Sequence, residues 1–168
     1  MTIEQIFIST NVGGKQGEQE KVELVAGCGI VGDRNFGLSK WPGQNLTLIE
    51  AEEIESFLRE HDLPHDLTIS RRNLITRGVR LNNLVGKEFR LGDVLLKGVE
   101  LCEPCSSLSK RLSSLTESQL SPKLVIQRFK GRGGLRVDVL TSGTIKLGAQ
   151  IVEVKSAEIK SEEVSIEK

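Results

Sequence analysis

Two stretches in the second half of the chain, Phe89-Arg-Leu-Gly-Asp-Val-Leu-Leu96 and Ile145-Lys-Leu-Gly-Ala-Gln-Ile-Val152, follow one pattern: apolar, basic, Leu-Gly, two turn residues, then apolar again. A glycine stands shortly upstream of each, Gly86 and Gly143. A glycine-centred turn between apolar runs spells a strand, a tight turn and a second strand. Two such corners, far apart in sequence, belong together as corners of one closed or nearly closed sheet. The prediction is a mainly β fold, a β-barrel with a few short peripheral helices.

The rest of the chain fits around that sheet. Ile3 to Ser9 and Lys21 to Val25 read as strands, with Gly13-Gly14 as the turn of an antiparallel start. Ala26 to Gly37 carries Gly27, Gly29, Gly32 and Gly37 and reads as a loop whose backbone can approach a ligand closely. Its glycine spacing is neither a dinucleotide fingerprint nor a phosphate-binding P-loop. Asn45 to Ile49 predicts a strand that runs into a helix from about Glu50 to Glu60. The apolar face of that helix would be Ala51, Ile54, Phe57 and Leu58, and its Glu50, Glu52, Glu53 and Glu55 a solvated face. A short helix is expected around Ser121 to Phe129, and Leu135, Val137 and Val139 alternate as in a half-buried strand. One domain over residues 1–154 is expected, followed by a polar, mobile tail over 155–168.

Val99 to Leu108 reads as a strand that delivers Cys105 to a helix start. Leu108, Leu112 and Leu115 recur at helical spacing, and Pro104 suits the first turn. At that position free backbone N–H groups and the helix dipole favour a thiolate, the form that attacks sulfur or ligates a soft metal. The other reading is a small hydrophobe packed in register with the leucines. Cys102-Glu-Pro-Cys105 is also spelled like a dithiol redox pair, which would make the chain a dithiol-disulfide oxidoreductase; that motif normally opens the long helix of a βαβ fold, whereas this one lies late in a β-rich chain. A lone Cys-x-x-Cys is poor evidence for zinc, and His61 and His65 lack further ligands nearby in sequence.

Lys plus Arg equals Asp plus Glu at 23 each, and aromatic residues make up 4% with no Tyr. No global field steers such a chain onto nucleic acid or an acidic membrane, and few platforms exist for base stacking. Charge is concentrated locally instead. Ser70 to Arg80 holds Arg71, Arg72, Arg77 and Arg80, and Arg132 stands between glycines. Guanidinium groups at that density suggest an anion site; the alternative is exposed arginines spaced round a strand. Three cysteines make no secreted disulfide framework, and neither a basic leader nor a membrane-length apolar run is present, which predicts a cytoplasmic protein.

Gly32-Asp33-Arg34, Leu46-Thr47-Leu48-Ile49, Arg72-Asn73-Leu74, Gly78-Val79, Leu84-Val85-Gly86, Leu91-Gly92-Asp93, Glu103-Pro104-Cys105, Arg132-Gly133-Gly134 and the Gly143 to Gly148 corner, taken in this order, resemble the MOSC domain family, domains similar to the C-terminal part of molybdenum cofactor sulfurase. The resemblance runs from about Ile3 to Val154 and implies a twisted β-barrel that works on or with the molybdenum cofactor (molybdopterin). By that resemblance Cys105 matches the cysteine that carries sulfur as a persulfide or ligates molybdenum. Arg34, Arg71, Arg72 and Arg132, with Gly133, would hold the cofactor's phosphate and pterin, and Asn73 would supply amide hydrogen bonds. No cysteine desulfurase or ferredoxin unit is spelled in this chain, so no pyridoxal phosphate is expected and sulfur or electrons would come from a separate desulfurase or electron-donor protein. Sulfur transfer, redox chemistry at molybdenum and a non-enzymatic carrier of cofactor or persulfide all remain open at this stage. The resemblance assigns no role to Cys28 or Cys102.

Overall fold

Alternation of apolar and polar residues sets most of the strands, and the computed structural model, which describes residues 1–115 and 120–155, shows them in this order. They run β1 (Thr2–Ile8), β2 (Gly17–Gln19), β3 (Lys21–Val25), β4 (Gly29–Ile30), β5 (Leu46–Glu50), α1 (Ala51–Glu60), β6 (Leu74–Arg77), β7 (Glu88–Leu91), β8 (Val94–Leu101), α2 (Ser106–Leu115), α3 (Pro122–Phe129), β9 (Leu135–Val139), β10 (Gly143–Lys146) and β11 (Ile151–Glu153). Short 3-10 turns cover Leu67–Ser70 and Leu81–Leu84. The tail expected from 155 onward lies, from residue 156, outside the described residues.

Eight strands form one curled sheet in the order β11-β7-β8-β9-β5-β6-β1-β2, and β10-β3-β4 form a second. The two Leu-Gly corners do different work. Gly92, at φ 58°, turns β7 into β8 as a hairpin in which Leu91 faces Val94. Gly148, at φ 78°, instead carries the chain from β10, paired with β3, across to β11, paired with β7. The end of the second copy therefore lies on the start of the first, with Ile151 opposite Leu91. That corner also meets β1, since Ile3 N–H donates to Ala149 O at 3.0 Å and Gly148 N–H to Ile3 O at 2.8 Å. These bonds bring one edge of the large sheet round towards the other, so the sheet is nearly closed and the mainly β fold follows.

Adjacent residues of a strand point to opposite faces, and here each face has its own core. Leu48 and Leu74 join Ile3, Phe89, Leu96 and Val137 inside the curl, while their neighbours Ile49 and Ile75 pack outward against Ile54, Phe57, Leu108, Leu112 and Phe129 of the helices. Burial of each such side chain contributes about 1.5–3 kcal/mol. The parallel pair β5 and β6 is joined through α1, as a parallel connection requires.

Three expectations need correction. β1 pairs antiparallel with the short β2 and with β6, not with β3, which leaves for the smaller sheet. The glutamates expected to form a solvated face do so only in part: Glu52 is exposed, and the other three are covered. Glu50 is buried at the helix start, and Glu53 and Glu55 keep only 13% and 16% of their side-chain surface exposed, because arginines from other elements lie over them. Leu115, at 43% exposure, does not join Leu108 and Leu112 in the core. No helix among the described residues is long and apolar enough to cross a membrane.

Where β5, β8 and β9 converge, Gly134 sits at φ 105° against the Leu48 carbonyl and accepts the Cys102 N–H at 2.7 Å. A Cβ there would overlap that carbonyl, and neither backbone can give way. Gly134→Ala is expected to cost about 3 kcal/mol or more in urea denaturation. Gly17→Ala, with negative φ and only the flexible Gln19 side chain in ordinary contact at 3.7 Å, should fall within about 1 kcal/mol of the parent.

Candidate functional site

Beyond Leu101 the chain leaves β8. Cys102 is buried, its N–H bound to Gly134, and burial pushes its thiol up despite the nearby Arg72 and Arg136. Three residues on, Cys105 is exposed and immediately precedes α2. Its sulfur takes the place of a capping side chain. The N–H groups of Leu108 and, more weakly, Ser107 donate to it, and with the charge of Arg72 they outweigh partial burial and hold its thiol below the ordinary cysteine value. Pro104 stands just outside the helix, not in its first turn. The exposed, activated sulfur is thus the second cysteine of the pair, and the two thiols are not joined. A dithiol motif of the thioredoxin type places its reactive thiol first, so this geometry does not favour exchange between the two.

A cleft of about 270 Å³ opens beside the end of β1 and the start of β5, lined by Arg34, Arg71, Arg72, Asn73 and Arg136, among others. Each is aimed by a local device. The Asp33 carboxylate accepts the N–H groups of Ser9 and Asn35, and Arg34 N–H donates to Ser9 O at 2.8 Å, which pins the Gly32-Asp33-Arg34 turn to the end of β1. Arg71 adopts the left-handed conformation, φ 57°, at the end of the Leu67–Ser70 turn. In a strand, Arg71 and Arg72 would point to opposite faces; the left-handed residue breaks that alternation and both line the cleft.

Asn73 is the strut of this wall. Its side-chain oxygen accepts the Thr47 N–H and hydroxyl, both at 3.1 Å, and its amide nitrogen donates to Phe7 O and to Asp33 Oδ2. It ties β5, β1 and the Asp33 turn together with a fully engaged amide. Its place is to position the cleft.

Two guanidinium groups of the cleft, those of Arg71 and Arg72, are held by main-chain oxygens, whereas Arg136 Nε lies 3.4 Å from a Glu100 carboxylate oxygen. Arg71 Nη1 donates to Gly14 O at 2.6 Å and Arg72 Nε to Gly133 O at 3.0 Å. Arg71 Nη2 is buried without a hydrogen-bond partner, and desolvation together with Arg34 pulls this guanidinium below its usual range. Among the described residues no carboxylate forms an ion pair with Arg34, Arg71, Arg72 or Arg111.

Arg111 went unnoticed in the sequence. It lies on α2, half-buried, with Nη1 donating to Ile69 O at 2.9 Å, and it feels Arg71, Cys105, Arg72 and Arg34. The only signal was a basic residue on the helix that Cys105 begins, indistinguishable there from a surface charge.

Arg132 is not brought into this group. It lies 3.6 Å from Glu53, in a network where Arg80 pairs with Glu50 and Glu53, Arg128 with Glu53 and Glu60, and Arg77 with Glu4 and Glu55. Gly133 contributes through its carbonyl, which orients Arg72. Of the four arginines between 70 and 80, two therefore face the cleft and two neutralise glutamates. His65 pairs with Glu55 and His61 packs on Phe57. Cys28 lies in the turn after β3 and does not line the cleft.

Comparison with known proteins gives the same architecture. The family profile described as the MOSC domain matches residues 33–152. The solved YuaD protein from Bacillus subtilis superposes with a TM-score of 0.76 at 19% identity, over 93% of this chain and 98% of that one. YiiM from Geobacillus stearothermophilus gives 0.68 at 18% identity over 92% and 75%, and YiiM from Escherichia coli 0.62 at 19% over 92% and 70%. At such identities these likenesses speak for the fold. No curated protein matches.

The thiolate is the form that alkylates, so the iodoacetamide rate at Cys105 should rise with pH around a midpoint below that of an ordinary cysteine. Arg72→Ala and Arg111→Ala each remove a positive charge that favours the thiolate. Both midpoints should move up, with slower reaction at neutral pH and an unchanged rate at high pH. Peptide mapping should find Cys102 unlabelled in the folded protein.

Proposed function

Because the chain belongs to the MOSC domain family, which is linked to the molybdenum cofactor, we propose that it binds that cofactor with its anionic end in the Arg34, Arg71 and Arg72 cleft and uses Cys105 as the sulfur that works beside it. The observation that carries this reading is the pairing of an exposed thiol, held below the ordinary cysteine value, with the Arg34, Arg71 and Arg72 guanidinium groups, which lack carboxylate partners among the described residues. The Arg71 Nη2 donor, left without a partner while Nη1 is bonded to Gly14 O, fits a phosphate, whose oxygens accept charge-assisted N–H bonds from guanidinium. A thiolate fits a soft metal or a sulfur donor.

When bound, the cofactor supplies a molybdenum centre competent for sulfur exchange and redox chemistry. The chain's own residues have separate tasks. Arg71 and Arg72 hold charge, Asn73 and Asp33 keep the wall in register, and Cys105 presents its lone pair in water-accessible space. Where a desulfurase persulfide is the donor, the Cys105 thiolate attacks the outer sulfur. A new S–S bond forms to Cys105 as the donor's S–S bond breaks, the donor cysteine leaves as thiolate, and no net electrons are consumed. Direct ligation of molybdenum by the same thiolate is the second use of the site, and a carrier that does no chemistry of its own is the third.

Protein purified from cells able to make the cofactor should contain near-stoichiometric molybdenum and phosphate by elemental analysis. The Arg71→Ala, Arg72→Ala double variant should lose on the order of tenfold or more of both, given the strength of charge-assisted bonds. Cys105→Ser should abolish persulfide labelling after exposure to a desulfurase, whereas Cys102→Ser should leave it intact. Absence of both molybdenum and phosphate, or equal dependence on the two cysteines, would refute the assignment. A metal-loaded sample that turns over no N-hydroxylated substrate with an electron donor present would favour the carrier.

A further inference from the structure

Trp41 is the single tryptophan of the chain, and 64% of it is exposed. An isolated exposed apolar residue carries no message. This one is held out by a fixed loop. The Gln44 side chain accepts the N–H groups of Lys40 at 2.7 Å and Trp41 at 3.4 Å, and Gly43 N–H donates to Asp138 Oδ1 at 2.7 Å. Gly43, at φ 84°, lies so close to Arg136 and Val99 that a Cβ would meet them at 3.1 and 3.2 Å. Asn45 completes the anchorage, donating to Gly27 O and Ser39 Oγ and accepting the Val139 N–H at 2.8 Å.

The anchored loop separates two concavities. On one side is the guanidinium cleft, with Gln44 and Asn45 in its wall. On the other is a shallow groove of about 380 Å³ lined by Trp41, Pro42, Val139 and Leu140 together with Lys40 and Asp138, with Asn45 again as its wall. One side offers positive charge and N–H donors; the other offers a flat indole with apolar neighbours and one residue of each charge, Lys40 and Asp138. A ligand with both an anionic end and a flat ring matches the pair, and the rigidity of the loop spares it the cost of ordering the indole.

We propose that the groove is a second subsite, which takes a planar heteroaromatic ring on Trp41 while the phosphate of the same molecule occupies the guanidinium cleft. The proposal rests on the anion-binding reading of that cleft. A pterin phosphate and a purine nucleotide share the required chemistry, and comparison of their affinities tells the two sources apart.

Calorimetric titrations of the full chain with pyrophosphate, guanosine monophosphate and 6-hydroxymethylpterin phosphate test it. Trp41→Ala should weaken the tighter of the two ring-bearing phosphates by on the order of tenfold, leave pyrophosphate unchanged, and be largely rescued by Trp41→Phe. Guanosine monophosphate should quench the fluorescence of the lone indole and pyrophosphate should not. Unchanged affinity of Trp41→Ala for both ring-bearing phosphates overturns the subsite and leaves the anion cleft standing. Failure of pyrophosphate to bind the parent overturns the cleft and the subsite together.

Discussion

Everything at this site depends on what the arginines are bonded to. Arg71, Arg72 and Arg111 are held by the carbonyls of Gly14, Gly133 and Ile69, which orient a guanidinium without cancelling its charge. Arg77, Arg80, Arg128 and Arg132 are held by the carboxylates of Glu4, Glu50, Glu53, Glu55 and Glu60, which do both. The same side chain is thus a structural tie over α1 and an uncancelled charge in the cleft. A neutral chain produces a local field by this division of acceptors, with no excess of basic residues. Like charges held together raise the energy of the empty site, and an entering anion lowers it.

The barrel supplies the rigidity that such an arrangement requires. The carbonyl that holds Arg72 belongs to Gly133, and Gly134 beside it is wedged against β5 while it receives Cys102 from the end of β8. The strand convergence that seals the core therefore also fixes the cleft wall and the start of the segment that ends in Cys105. Asn73 does the same from the other side, joining β1, β5 and the Asp33 turn. Buried amides of this kind are costly when unpaired and specific when fully engaged, and here all of the amide's bonding groups are used.

How much of this was legible depended on whether the signal was periodic. The alternation in Leu135, Val137 and Val139, the helical face of Ala51, Ile54, Phe57 and Leu58, and the paired Leu-Gly corners are local patterns, and the strands, the helix and the curled sheet followed from them. Cys105 was legible because a helix start is readable in sequence. The pairing of β3 with β10 was not, since Val22 and Leu24 can face any apolar strand and partner choice is settled by closure. Nor could the arginines be sorted. Arg72 and Arg77 stand five residues apart in one segment, and only the folded chain decides that one meets a glycine carbonyl and the other two glutamates. The sequence marks Asn73 as an amide near a ligand, but its four side-chain hydrogen bonds, to Thr47, Phe7 and Asp33 in three distant elements, make it a strut.

The two charged features of the site act over different ranges, which separates their roles. The cap on Cys105 consists of direct hydrogen bonds from the N–H groups of Leu108 and Ser107, and added salt scarcely weakens contacts of that kind. Arg72 and Arg111 act on the sulfur through space beside an open surface, where the screening length is about 8 Å at physiological ionic strength. In a cell the cap therefore still favours the thiolate over the thiol, while the guanidinium groups contribute chiefly to whatever anion comes into direct contact with them. On this division the site has two independently maintained parts, a sulfur set by a helix start and a cation pocket set by carbonyl acceptors. Chemistry arises only when a ligand spans both.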